Sequence, residues 1–183
     1  MHQPQEWFYI KKVGEGPSGL DRYIYEKIYP FIGNIIVQSN TCELLVDEIL
    51  KRIGLAPRRK ITMLGKKVEL LERNKEKLPP DIPIDAIVVG LRKVNGYFRI
   101  AKHAIIAPPG EMSLNENVSD ATPVQFIDLV DQRLHTFSKK DVTAITTNFQ
   151  ETTQSLEEAL SKIESARPPM PQPPLTPVGD QSA

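Results

Sequence analysis

Apolar positions along this chain change period several times, and each period predicts an element. The clearest helix runs from Thr41 to Ile53. Cys42, Leu45, Val46, Ile49, Leu50 and Ile53 fall three, four, seven, eight and eleven residues from the first, which is one helical face. Asn40 and Glu43 have the spacing of a capping box, and Gly54 marks a C-terminal stop. Asp47–Lys51 and Glu48–Arg52 are spaced as ion pairs on the wet side. Around this helix the pattern predicts strands. Arg22 to Tyr29 alternates, with Tyr23, Tyr25, Lys27 and Tyr29 on one face and Ile24, Glu26 and Ile28 on the other. Ile35 to Val37 is β-branched, and Lys60 to Leu64 with Lys67 to Leu71 suggests a hairpin about Gly65. Ala86 to Val89 and Tyr97 to Ile106 supply the last strands, with Asn95-Gly96 between them as a hairpin turn signal.

Beyond Pro108-Pro109-Gly110 the period returns to that of a helix. Thr122 and Pro123 have the form of a helix start, and Phe126, Ile127, Val130, Leu134 and Phe137 make a stripe. Ser138 and Asp141 then resemble a second capping box. Val142, Ile145, Phe149, Thr152, Leu156, Ala159 and Ile163 alternate spacings of three and four. That stretch fits either a helix folded back on its own domain or a coiled coil. The last residues, ARPPMPQPPLTPVGDQSA, place six prolines within ten positions, a composition that excludes helix and favours an extended or disordered tail. The expected organisation is an α+β domain over residues 1–107, with a mixed or antiparallel sheet packed on one central helix. A linker (108–121), a helical extension (122–166) and a disordered proline-rich tail (167–183) follow.

Composition narrows the chemistry. The chain has 183 residues, 23 basic and 23 acidic, so net charge offers no argument for nucleic acid. A single cysteine, Cys42, allows no intrachain disulfide and points to a reducing compartment. MHQPQEWFYIKK lacks the apolar core of a signal peptide, and no run has the length of a membrane span. The expectation is a cytoplasmic protein.

Gly14, Gly16 and Gly19 form a G-x-G-x-x-G after the strand-like Trp7 to Val13. Such a loop closes backbone N–H groups on a pyrophosphate when a helix follows. Here the following residues alternate like a strand, Pro17 removes a donor, and Val37-Gln38-Ser39-Asn40 stands where a ribose-binding acid belongs. The glycines therefore read as a hairpin loop. His2, His103 and His135 are scattered without metal-ligand spacing, and Cys42 lies on an apolar helix face. The expectation is a chain that is not an enzyme and has no cofactor, metal or small-molecule substrate.

Charge is polarised even though it sums to zero. Residues 51–77 carry Lys51, Arg52, Arg58, Arg59, Lys60, Lys66, Lys67, Arg73, Lys75 and Lys77 against Glu69, Glu72 and Glu76, while 120–165 is net acidic. This is either a solvated face or a docking surface for an acidic partner, an anionic membrane or a ribonucleoprotein. Pro168, Pro169, Pro171, Pro173 and Pro174 offer a bare P-x-x-P to a proline-recognising domain.

Two resemblances bear on function. GNIIVQSNTCELLVDEILKRIGL (33–55) looks like the segment from the second strand to the first helix of ubiquitin-like β-grasp domains of the Ras-association type. LPPDIPIDAIVVGLRKVNGYFRIAKH (78–103) is similar to their closing hairpin. That resemblance implies contact between a basic edge and the acidic switch region of a small GTPase, by position through Arg22, Lys27, Lys51 and Arg52. IIVQSN departs from the pattern in carrying neither Lys nor Arg. A small α+β chain with a basic patch and a proline-rich segment also resembles matrix proteins of negative-strand RNA viruses such as rhabdoviruses. This second likeness implies self-association and binding to membrane and nucleocapsid, in the virion. The functional expectation is protein–protein interaction or assembly, with a viral matrix-type structural role as the alternative.

Overall fold

The computed structural model describes residues 19–55, 63–106, 118–129 and 132–166. Helix α1 (Gly19–Tyr23) runs through a π-helical turn (Ile24–Ile28) into the long helix α2 (Tyr29–Arg52). Helices α3 (Leu64–Arg73) and α4 (Ile84–His103) follow. Strands β1 (Ala104–Ile106), β2 (Val124–Asp128) and β3 (Leu134–Phe137) lead to α5 (Lys139–Ser165). The class is α+β, dominated by helices, with an antiparallel meander in the order β1-β2-β3.

Pairwise contacts give the helix directions. Cys42 meets Thr153 and Arg52 meets Glu164, so α2 and α5 run parallel. Gly90 meets Thr152, and Tyr97 meets Phe149, so α4 runs antiparallel to α5. Arg92 reaches Glu72, and Asn95 lies against Gly65, so α3 runs antiparallel to α4. The sheet closes the end of this bundle where α2 and α5 begin and α4 ends. There Phe31 of α2 stacks on Phe126 of β2 and touches Phe137 of β3. One core cluster joins residues from all of these layers, including Tyr23, Ile35, Leu50, Leu71, Leu91, Phe126, Phe149 and Leu156.

Most of the expected strands are helices. The 22–29 alternation lies in α1, the π turn and the start of α2, and 35–37 is inside α2. Tyr23 and Ile28 are both fully buried five residues apart. A π turn brings residues at that spacing onto one side, and the Tyr29 N–H bonds back to the Ile24 carbonyl five residues earlier. Pro30 has no N–H for the Glu26 carbonyl, which removes the competing α-helical bond. Asn40 accordingly lies within the helix and caps nothing.

Residues 67–71 form α3, and 86–89 with 97–103 form α4, where Asn95-Gly96 sits mid-helix. Ile87, Val88, Leu91 and Val94 face the core at helical spacing, and burial of that stripe outweighs β-branched propensity and the turn signal. Only the end of the predicted 97–106 strand is extended, as β1. Residues 124–128 and 134–137 are a hairpin rather than the expected helix. Val124, Phe126 and Asp128 point inward, while Ile127 faces out. Gln132 takes a positive φ of 56° in the connection.

The C-terminal helix holds as read. Ser138 Oγ accepts from the Asp141 N–H, and the Asp141 carboxylate accepts from the Ser138 N–H at 2.8 Å. Its alternating stripe packs on α2 and α4 of the same chain, the folded-back arrangement. Gly54, at φ +78°, ends α2. The Leu55 N–H bonds the Leu50 carbonyl, and the Gly54 N–H bonds that of Lys51, which together make a Schellman motif.

Candidate functional site

Because residues 25–44 form one continuous helical stretch, side chains read as belonging to separate strands share a face. Tyr25, Tyr29, Gly33, Ile36, Asn40 and Leu44 line its solvent side, flanked by Glu26, Pro30 and Val37. Glu26 is the only charged residue among the exposed positions from 25 to 44. Tyr25 is 66% exposed, Val37 62% and Leu44 69%. The Tyr25 and Tyr29 rings meet edge to face, with centroids 5.5 Å apart, forming a two-ring platform at one end. The stripe is about 28 Å long at 1.5 Å per residue. A surface helix normally carries charged and polar residues on its outer face, so the stretch from 25 to 44 departs from the rule.

A groove of about 240 Å³ borders the stripe at Pro30 and Asn34. Its apolar wall includes Phe31, Val124, Phe137 and Val142. At its mouth Asp120 bridges Lys139 at 2.8 Å and Lys27 at 3.7 Å. The Lys139 hydrogen bond leads in holding the Asp120 carboxyl below its ordinary pKa, with the charge of Lys27 adding to it.

A second apolar row crosses the outer face of the sheet. Ile105 pairs with Ile127, and Ile127 with Leu134. All three are exposed, as is the adjoining Leu129.

The predicted basic site divides. Lys67 is 5% exposed and does not offer its charge to a partner. Its Nζ donates to Glu43 at 2.7 Å and to Asp47 at 2.6 Å, which ties α3 to α2. Burial alone would pull the Lys67 pKa down; the hydrogen bonds to the two carboxylates outweigh it and leave the pKa raised. Arg52 binds Glu48 at 2.6 Å and Glu164 at 3.1 Å. Lys27 is largely covered and faces Asp120. Arg22 is half-buried on α1. Lys51 and Lys66 remain exposed, near Glu48 and Glu69. Arg58, Arg59 and Lys60, and Pro168, Pro169, Pro171, Pro173 and Pro174, lie outside the described residues. Among the described residues, Lys67, Arg52 and Lys27 are engaged in contacts within the fold and are not gathered at one place.

Cys42 is buried with its sulfur 3.5 Å from Thr153 Oγ1, and burial pushes the thiol pKa up, away from the reactive thiolate. The helix that a dinucleotide-binding loop requires, not expected from the alternating residues after Gly19, is present from Gly19. The second strand of such a unit is not formed, because residues 35–40 are inside α2. Gly14 and Gly16 lie outside the described residues. Among the described residues no His, Cys, Asp and Glu group gathers at metal-binding geometry, and no helix is long and apolar enough to cross a membrane. No protein-family model, curated protein or solved structure matches the chain.

The α2 face was not singled out in the sequence. Its one visible signal is the lack of Lys and Arg in Ile35 to Asn40, which in the sequence reads only as a departure from the Ras-association pattern.

Proposed function

We propose that this protein is a non-catalytic interaction or assembly protein that binds a protein partner through the outer face of α2. The observation that carries this reading is the uncharged, tyrosine-headed stripe from Tyr25 to Leu44. Its large apolar side chains expose on the order of 500 Å² together, at the upper end for a monomer's largest apolar patch and typical of a functional surface. Tyrosine is enriched in interface cores and among their hot spots, and the aliphatic residues beside the two tyrosines extend the apolar area. The ion pairs of Lys67, Arg52 and Lys27 support the same choice, since they leave fewer cations to recognise an acidic partner. The proline segment from Pro168 to Pro174 is a further docking element in this proposal, read from its composition alone.

A photo-crosslinking amino acid placed at Val37, with a control at Glu158 on the exposed side of α5, tests the reading in cells expressing the full chain. The expected result is protein crosslinks several-fold enriched at position 37. Equal yields at the two positions would sink it.

A further inference from the structure

The spacing of the α2 stripe bears on what it binds. Tyr25, Tyr29, Gly33, Ile36, Asn40 and Leu44 are separated by four, four, three, four and four residues, a sequence that reads the same in both directions. A face with that spacing can pair in register with a second copy of itself about a two-fold axis, where each contact occurs twice with the partners exchanged. Resting on the interaction reading above, we propose that the partner is a second copy of this chain, with the two α2 helices packed antiparallel about an axis at the level of Asn34 and Ile35.

In that register every position of the stripe has a counterpart on the stripe. Tyr25 meets Leu44, Tyr29 meets Asn40, and Gly33 meets Ile36. The last pair, which falls on either side of the axis, sets a branched side chain over a residue without one. Among the described residues Gly33 has no contact that explains it. It is exposed and mid-helix, its φ is not positive, and a Cβ added there would meet nothing within 4 Å. A glycine in such a place costs a helix about 1 kcal/mol relative to alanine. Close approach of a second helix gives its bare backbone a use. Asn40 faces a tyrosine whose hydroxyl supplies a hydrogen-bonding group. Antiparallel helices also align their dipoles favourably. With on the order of 500 Å² from each copy, the pair buries roughly 1,000 Å², the lower limit for a specific interface, so the dimer is a weak and concentration-dependent one.

Sedimentation equilibrium of the full chain across protein concentration tests the proposal. The expected mass rises from one chain to two and stops there. Ile36→Asp, at an exposed position, keeps the fold and weakens the dimer by roughly tenfold or more. Gly33→Ala raises the melting temperature of the monomer through helix propensity yet weakens the dimer, a combination that general damage to folding does not produce. Register is read by mixing a Tyr25→Cys chain with a Leu44→Cys chain under oxidising conditions. The mixed disulfide dimer is expected in excess over either homodimer, with the native Cys42 buried out of reach. A single-chain mass at all concentrations, a dimer insensitive to both Ile36→Asp and Gly33→Ala, or an excess of Tyr25→Cys homodimer would each overturn it. The crosslinking at Val37 separates the two proposals. A heterologous protein captured there without self-crosslinks overturns self-pairing and leaves the interaction reading standing. No enrichment at Val37 removes both.

Discussion

A methyl group built on Gly90 of α4 would lie 2.5 Å from Thr152 Oγ1 of α5. The hydroxyl is fixed by its own hydrogen bond to the Asn148 carbonyl at 2.7 Å, so it does not yield cheaply. The absence of a side chain at Gly90 is what lets these helices cross at this distance. Alanine here gains helix propensity but must push α5 away or break the Thr152 bond. Gly90→Ala is expected to destabilise the fold by about 1–3 kcal/mol, the usual range for overpacking. Gly96→Ala on the same helix meets open space and is expected to stabilise by about 0.5–1 kcal/mol. Denaturant melts of the two variants should move in opposite directions, and adding Thr152→Ala should recover part of the Gly90→Ala loss.

Lys67 is the second test of how the helices are joined. Its ammonium is the one cation bonded to both Glu43 and Asp47 among the described ion pairs; it reaches Asp47 through Oδ2, while Asp47 Oδ1 is buried without a hydrogen-bond partner. Lys67→Met keeps the apolar stem and deletes the charge, leaving two carboxylates one helical turn apart without a counterion. The expected loss is about 2–3 kcal/mol, below the range for a fully buried pair because both carboxylates keep some contact with water. Adding Glu43→Gln and Asp47→Asn removes the repulsion and should restore most of the stability. An unchanged melt for Lys67→Met would mean that the triad contributes nothing net.

The fold was legible where one period persists over many residues and a cap marks its end. In α5 the alternating stripe, Ser138 and Asp141 agree, and the helix forms as read. Gly54 likewise marks a true stop. The reading failed where two periods fit the same residues. From Arg22 to Tyr29 the Tyr and Ile positions satisfy a period of two, whereas the decisive fact is the five-residue interval between buried Tyr23 and Ile28, which belongs to a π turn. In 86–103 β-branched residues and Asn95-Gly96 have strong local preferences, but contacts with α3 and α5 decide the outcome, and no local window contains them. The hairpin at 124–137 failed in the other direction, since its apolar positions fit a helix equally well. The candidate site depended on these errors. Its tyrosines and its aliphatic half become one surface only when 25–44 is a single helical stretch.

Acid should weaken the start of α5 before the interior is affected. The hydrogen bonds from Ser138, side chain first and then backbone, hold the Asp141 carboxyl below its ordinary pKa. A carboxylate with a depressed folded pKa contributes stability that is complete above its unfolded value. That contribution is lost as pH falls through the folded one. The window therefore opens near pH 4 and extends downward. Asp120, held by Lys139 and Lys27, and Glu48, held chiefly by Arg52, respond with the same sign. The melting temperature is expected to be flat from pH 7 to 5 and to fall below 4. Asp141→Asn should lower it at neutral pH and reduce the further loss on acidification. A variant that tracks the native chain at every pH would refute the assignment.

Tyr23 links α1 and the π turn to the sheet. Its side chain is fully buried, and its hydroxyl oxygen accepts the Gln125 backbone N–H at 2.8 Å across 102 residues of sequence. Burial raises the phenol pKa, and the Gln125 bond opposes that rise without cancelling it. Tyr23→Phe keeps the ring packing and removes the acceptor, leaving the Gln125 N–H without this partner. The expected cost is about 1–2 kcal/mol, the range for an orphaned buried donor. Hydrogen exchange separates this local effect from general loosening. Protection of the Gln125 amide should fall much more than that of amides in the middle of α5. A uniform drop across both elements would show that the ring, and not the hydrogen bond, joins the π turn to the sheet.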